Sequence, residues 1–410
     1  MKKLLLVLLI LSLFINHLNA NEKDLQIIQK DKKEYRLLEK ESIQTRQQSQ
    51  KYDWIRPIDL SGNIGSSHSF SDANSRNLNN KNTKSASIGF TQSIFESGGI
   101  GFKMEYADNR FKYEMLSWEN QNSQLIYTIY NTLLDIKKLK LEINQNDYRI
   151  VNKDIELIIK KIQYEAGKTD IIELNNAIMS KNLILKEEIA LKNSLKEKEQ
   201  ELAKYTDLKY DEIEILDFQE TNKEIFLDKN YSILEADAKV EMLNSEYKIK
   251  KSQYLPKLSL SAKASYSNQD EKFNSMINDT NKDDASSSGS LILSMPLYDY
   301  TKSSKIQESK IEVLKQKALV NDLKNETAFE YEQIFTKIDT YLKQNETINK
   351  NIKLYEELIG ANQISSEAGM TSKYDLEILE NTKTINEFDI LINKINILQQ
   401  YAKLYFKIKN

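Results

Sequence analysis

Glu165-Ala166-Gly167-Lys168-Thr169 and Glu367-Ala368-Gly369-Met370-Thr371 read almost alike, and their glycines stand 202 residues apart. Each segment interrupts a long charged helical pattern. Each has a carboxylate six residues past its glycine, Glu173 in one copy and Asp375 in the other. The flanking pattern repeats as well, so the chain reads as a tandem duplication whose unit can be reasoned about.

Outward from each glycine the pattern is helical. The chain has 10 glycines and 3 prolines, where average usage over this length predicts about 29 and about 20. From about Gly98 to Ala166 there is no proline, and no glycine after Gly101. Leu125, Ile129, Leu133, Ile136, Leu139 and Ile143 recur at spacings of three and four. At about 1.5 Å per residue, roughly 65 residues reach on the order of 100 Å. A second helix is expected from Ile171 to about Lys204. The other half repeats this from about Thr301 to Ser366, then from Lys373 to the end. Charged residues make up 29% and mean hydropathy is −0.59, so these helices bury one narrow seam and need neighbours to cover it.

Two prolines mark where the pattern changes. Pro57 and Pro256 each follow a charged helical segment and open a stretch of period-two alternation, as proline does at the first residue of a strand. After Pro256 one parity reads Leu258, Leu260, Ala262, Ala264, Tyr266, and the other Ser259, Ser261, Lys263, Ser265, Ser267. A second strand sets Leu291, Leu293, Met295 and Leu297 against Ser290, Ile292, Ser294 and Pro296. The first repeat shows Ile58, Leu60, Gly62 and Ile64, then Ala86, Ile88 and Phe90 against Ser87, Gly89 and Thr91. Each half thus predicts two strands of roughly ten residues, about the length that spans a bilayer when tilted. Polar loops over Ser71–Lys84 and Asn268–Ser287 join them. Four strands cannot close a barrel, which begins at about eight, so several copies must pool theirs.

The N-terminus addresses the chain for export. Lys2 and Lys3 precede an apolar run from Leu4 to Ile15, and small or polar residues lead to Ala20. That is the pattern of a signal peptide over residues 1–20. No cysteine occurs, which excludes disulfides and thiolate metal sites. His17 and His68 are the only histidines, and no catalytic constellation or metal-ligand cluster is evident. A net charge of −3 argues against nucleic acid as a partner. No cofactor is expected.

At this point the residues resemble a family, the TolC-like outer-membrane efflux proteins, over nearly all of the chain past the signal peptide. Tyr254-Leu255-Pro256-Lys257-Leu258-Ser259-Leu260 looks like the family's strand opening. Leu293-Ser294-Met295-Pro296-Leu297-Tyr298-Asp299 looks like its second strand and exit into a helix. Tyr164 to Thr169 with Glu173, and Glu367 to Thr371 with Asp375, resemble its two helix-hairpin tips. The resemblance implies a mainly α protein with a membrane β part. It predicts a homotrimer of four strands per protomer completing a 12-stranded barrel in outer-membrane lipid, with a periplasmic coiled-coil tunnel. The segments would be an N-terminal periplasmic helix (21–56), β-hairpin 1 (57–97), helical hairpin 1 (98–207, tip near 166–169) and an equatorial linker (208–230). A periplasmic helix (231–255), β-hairpin 2 (256–299) and helical hairpin 2 (300–410, tip near 366–373) would follow. The implied partners are a periplasmic adaptor protein and an inner-membrane pump of RND or ABC type. Departures exist: residues 21–56 are short and charge-rich, Pro57 lies in Arg56-Pro57-Ile58-Asp59, and Ser93 stands where the second repeat has Pro296.

The candidate site is the pair of tips: Tyr164, Gly167, Thr169 and Glu173 in one, Gly369, Thr371 and Asp375 in the other. The glycines are expected to end a helix in the left-handed conformation, with Thr169 and Thr371 capping the next. Glu173 and Asp375 would complement helix N-termini. Three copies of Asp375 would make an acidic constriction of the kind found in cation-selective pores. In the family the second tip commonly carries another acid three residues on; here that position is Ile378, and Asn176 in the first tip. The reading is a passive export duct, not an enzyme. An exported trimeric coiled-coil adhesin or stalk is the alternative, and it predicts continuous heptads and surface-exposed helices.

Overall fold

The computed structural model describes residues 25–71, 77–216, 218, 220–272, 279–367 and 372–409. The signal segment 1–20 lies outside them. A short 3-10 turn (Leu25–Ile27) leads to α1 (Lys30–Tyr52), β1 (Asp59–Ser71), β2 (Asn77–Phe95), α2 (Gly99–Glu165) and α3 (Ile171–Leu202). Then come α4 (Lys223–Asp228), α5 (Tyr231–Ser252), β3 (Lys257–Lys272), β4 (Asp279–Ser294), α6 (Lys302–Glu367) and α7 (Lys373–Lys407). Two compact units form. One holds Met1–Lys40, Leu116–Leu234 and Asn321–Asn410; the other holds Glu41–Met115 and Glu235–Val320.

The second unit carries one antiparallel sheet in the order β1-β2-β3-β4. Its register sorts side chains by face. One row runs Leu60, Ile88, Ala264, Ser287, and the next Gly62, Ala86, Tyr266, Ala285. The alternate rows run Ser61, Ser87, Ser265, Ser286 and Thr91, Ser261, Ser290. Hydroxyls pair across this polar face: Ser61–Ser87 and Ser265–Ser286 at 2.8 Å, Thr91–Ser261 at 3.0 Å. The apolar face has no cover among the described residues, since Leu60, Ile64 and Leu293 are 79%, 83% and 72% exposed.

The strands are longer than the alternation predicts. They run 13, 19, 16 and 16 residues. Pairing continues to Ser71↔Asn77 and Lys272↔Asp279 through much of the stretches read as loops. The backbone ladder needs only N–H and C=O groups, so it outlasts the apolar pattern by which a strand is recognised. At its other end β2 bulges between Ser93 and Phe95, near where the second repeat has its proline. Ser97 (φ 50°) and Gly98 (φ 87°) then turn the chain into α2. Gly99 is needed here, because a Cβ would come within 2.9 Å of Ser252 Oγ at the end of α5.

The first unit is helical. Its core centres on Phe226, Ile334, Ile338, Leu404 and Ile408. An aromatic group of Tyr130, Phe218, Tyr405 and Phe406 packs with ring centroids 5.1–5.9 Å apart. The start of α1 is fixed to α2 by Arg36, which is buried. It donates to Asn122 Oδ1 (2.6 Å), Gln121 Oε1 (2.9 Å) and the Trp118 carbonyl (2.9 Å), while Trp118 Nε1 donates to the Arg36 carbonyl. Burial pulls the Arg36 guanidinium below its ordinary pKa and Glu39 opposes that; the hydrogen bonds offset the desolvation.

Candidate functional site

Four helices of the first unit lie side by side, and polar contacts give their order. α2 meets α3 through Lys181–Asp154 (2.5 Å), Arg149–Glu187 (3.7 Å) and Lys198–Asp135 (3.3 Å). α2 meets α7 through Gln145 Nε2 to Asp389 (2.7 Å), Asn381 to Asn152 (2.9 Å) and Gln399 Nε2 to Asp135 (2.7 Å). α7 meets α6 through Asn393–Asn345 (2.9 Å), Lys383–Glu356 (3.0 Å) and Glu330 with Lys403 and Lys407. Burial alone would raise the Glu330 carboxyl, but hydrogen bonds from the two lysines outweigh it and hold it below the usual carboxylate range. The order is therefore α3-α2-α7-α6, with α3 and α6 at the edges. Those edges carry uncovered apolar side chains: Ile172, Met179 and Leu183 on α3, Phe329, Leu354 and Ile364 on α6.

The first tip is a Schellman turn. Gly167 takes φ +71°, its N–H donates to the Tyr164 carbonyl (2.9 Å), and the Lys168 N–H donates to the Gln163 carbonyl (2.8 Å). Nothing lies near a Cβ built on Gly167, so the glycine is required by conformation rather than by crowding. The cap differs from expectation. Asp170, not Thr169, begins α3, its carboxylate accepting from the Glu173 N–H at 2.9 Å. A carboxylate one residue later satisfies the free N–H and also meets the positive helix end, which a hydroxyl cannot do as well. Glu173 lies in the first turn and reaches across to Lys160 Nζ on α2 (3.0 Å). Tyr164 is exposed, and Thr169 is half-buried.

At the second tip Gly369 and Thr371 lie outside the described residues. The helix that follows is capped by Ser372, not Thr371: its hydroxyl accepts from the Tyr374 N–H at 3.2 Å. Asp375 is in the first turn of α7, exposed, with no ion pair among the described residues. Tyr164, Gly167, Thr169 and Glu173 are thus gathered at one turn, while no hydrogen bond or ion pair among the described residues joins Asp375 to them. Sequence reasoning missed Asp170, Ser372 and Lys160. The signal for the caps was present, because both precede their helix by one residue and are good N-cap types.

Residues 224–403 match the model of the outer membrane efflux protein family. Over that stretch the chain is similar to an outer membrane efflux protein domain. Solved structures extend the likeness to the whole fold, although sequence identity is low. The CmeC outer membrane channel of Campylobacter jejuni aligns with 92% of this chain and 84% of its own, at 13% identity and TM-score 0.68. VceC of Vibrio cholerae aligns over 93% and 94%, at 13% identity and TM-score 0.69. The open-state MtrE channel of Neisseria gonorrhoeae aligns over 94% and 87%, at 12% and 0.65. No curated protein matches the sequence. The matched stretch runs from α4 to near the end of α7, so it takes in the second repeat; the fold is like that of these channels over both. No helix among the described residues is long and apolar enough to cross a membrane.

Proposed function

We propose that the chain is the outer-membrane channel of a tripartite efflux or type I secretion system. Three copies pair β4 of one with β1 of the next and complete a 12-stranded barrel. The apolar rows of the sheet then face lipid and the serine rows face water. The helical layers join likewise, α3 of one copy against α6 of its neighbour, covering the apolar side chains at both edges. The duct is passive rather than enzymatic. An inner-membrane pump supplies the energy, and a periplasmic adaptor engages the helix tips, which part to open the entrance with Asp375 lining it.

One observation carries the reading: the sheet ends on two unpaired strands while its apolar face lies bare, and a layer of that kind is unstable alone in water. The test is the state of the purified protein. Heat-modifiable trimers from outer-membrane fractions, and loss of solute export on deletion, are expected. A stable monomer in detergent-free buffer would overturn the proposal.

A further inference from the structure

The polar face of the sheet is built chiefly of small uncharged side chains, and its charges are placed unevenly. Arg56, Asp59 and Lys263 line one shallow cavity with Ser61, Ser87 and Ser261. Register sets Lys263 beside Gly89 on one side and Ser288 on the other, with Asp59 beyond Gly89. Gly89 clears the space: a Cβ there would stand 3.4 Å from Lys263 Cβ and 3.0 Å from the Ala262 carbonyl oxygen. Lys263 is exposed and makes no ion pair among the described residues. The other charges nearby do not cancel it. Lys257 faces Glu96, which Lys103 already pairs at 2.8 Å. Asp284 lies two rows further toward the strand-joining loops, about 13 Å along the strands and beyond a Debye length of about 10 Å at 0.1 M salt.

We propose that Lys263, with Arg56, makes the helix-side end of this polar face a basic belt that favours anionic solutes over cationic ones. The inference rests on the barrel reading above, which turns the polar face toward the water-filled interior. Two cations and one acid per copy leave each sheet net positive at this level, and three copies set a ring. Rings of charged side chains select ions by sign. A unit charge about 7 Å away in water changes the local concentration of a monovalent ion by about threefold. The face is otherwise nearly neutral here, so nothing on the neighbouring serine row masks that field.

The chain has no cysteine, so each introduced thiol is unique. Lys263→Cys is expected to react with water-soluble charged thiosulfonates in assembled trimers, and Ala264→Cys, on the apolar face, to resist them. In Ser265→Cys, one row and about 7 Å along β3, an anionic reagent should react about sevenfold faster than a cationic one, relative to free thiol, since the field raises one ion and lowers the other. Adding Lys263→Gln should remove that preference. In planar bilayers under a KCl gradient centred on about 0.1 M, the reversal potential should move toward cation selectivity from wild type to Lys263→Gln to Lys263→Glu, and the spread should collapse when the same gradient ratio is centred on about 1 M. An Ala264→Cys thiol that reacts while Lys263→Cys is silent would sink the barrel reading itself. A reactive Lys263→Cys with an unchanged reagent preference at Ser265→Cys would overturn the belt and leave the barrel standing.

Discussion

The two helical hairpins descend from one unit, yet they are fastened differently. Shifted by 202 residues, the Lys181–Asp154 pair of the first falls on Lys383–Glu356 of the second, the same rung in both copies. The other two distal rungs of the first hairpin do not survive. Arg149–Glu187 maps onto Asn351 and Asp389, and Lys160–Glu173 maps onto Asn362 and Asp375. In each case the acid is kept and the cation has become an amide. Asp389 has been taken over by Gln145 of α2, while Asp375 is left exposed near the tip. The first hairpin is therefore zipped to within about two turns of its glycine, and among the described residues the second is held at one distal ion-pair rung. Two exposed pairs at roughly 0.4 kcal/mol each amount to about 0.8 kcal/mol, or about fourfold in an opening equilibrium. In the duct proposed above, the second hairpin is the one expected to part more readily.

The comparison breaks most directly at Gly167. An alanine there keeps every cross-arm pair but puts a Cβ into the left-handed region, costing about 1–2 kcal/mol. Amide exchange over residues 160–175 should quicken by about tenfold, bringing the first tip to the looseness of the second or past it. Unchanged exchange would mean that the turn does not limit the tip. Next in size is the cap. Asp170→Ala should cost about 1 kcal/mol and speed exchange in the first turn of α3 by about fivefold. Thr169→Ala should leave it within error, and equal effects from the two would restore the threonine as cap.

That last pair of variants marks where the sequence stops being legible. Scarce glycine and proline announce long helices, and Pro57 and Pro256 with their alternating parities announce strands, because these signals are properties of single residues and short periods. The choice between Thr169 and Asp170 turns on where the first helical N–H points, which no local pattern fixes. Strand ends beyond the apolar rows are hidden for a related reason: Ser71 and Asn77 are partners in a backbone ladder that needs no apolar pattern. The order α3-α2-α7-α6 is hidden too, since Gln145 and Asn152 carry no mark of the helix they will meet. The positions of Glu173 and Asp375 could be read from the repeat, but their unlike surroundings required knowing that residue 160 faces 173.

Restoring the missing cations sharpens the comparison from the other side. Asn351→Arg with Asn362→Lys should give the second hairpin the rungs of the first, worth roughly 0.8 kcal/mol together. Spontaneous openings in planar bilayers should fall by about fourfold. Amide exchange over residues 350–365 should slow to match the first hairpin. If slowed exchange leaves the openings unaltered, zipping of this hairpin does not control the entrance.

The smallest effect is the most discriminating. Lys160→Met removes the rung nearest the first tip while keeping the aliphatic packing of the side chain on α2. The loss of one exposed pair, about 0.4 kcal/mol, should speed exchange at the start of α3 by about twofold at low salt. The difference from wild type should shrink as salt rises, because screening already weakens the pair in the parent. An effect of the same size that ignores salt would assign the tightness of the first tip to packing along α2 and α3. The absence of cations at 351 and 362 would then not explain why the two copies differ.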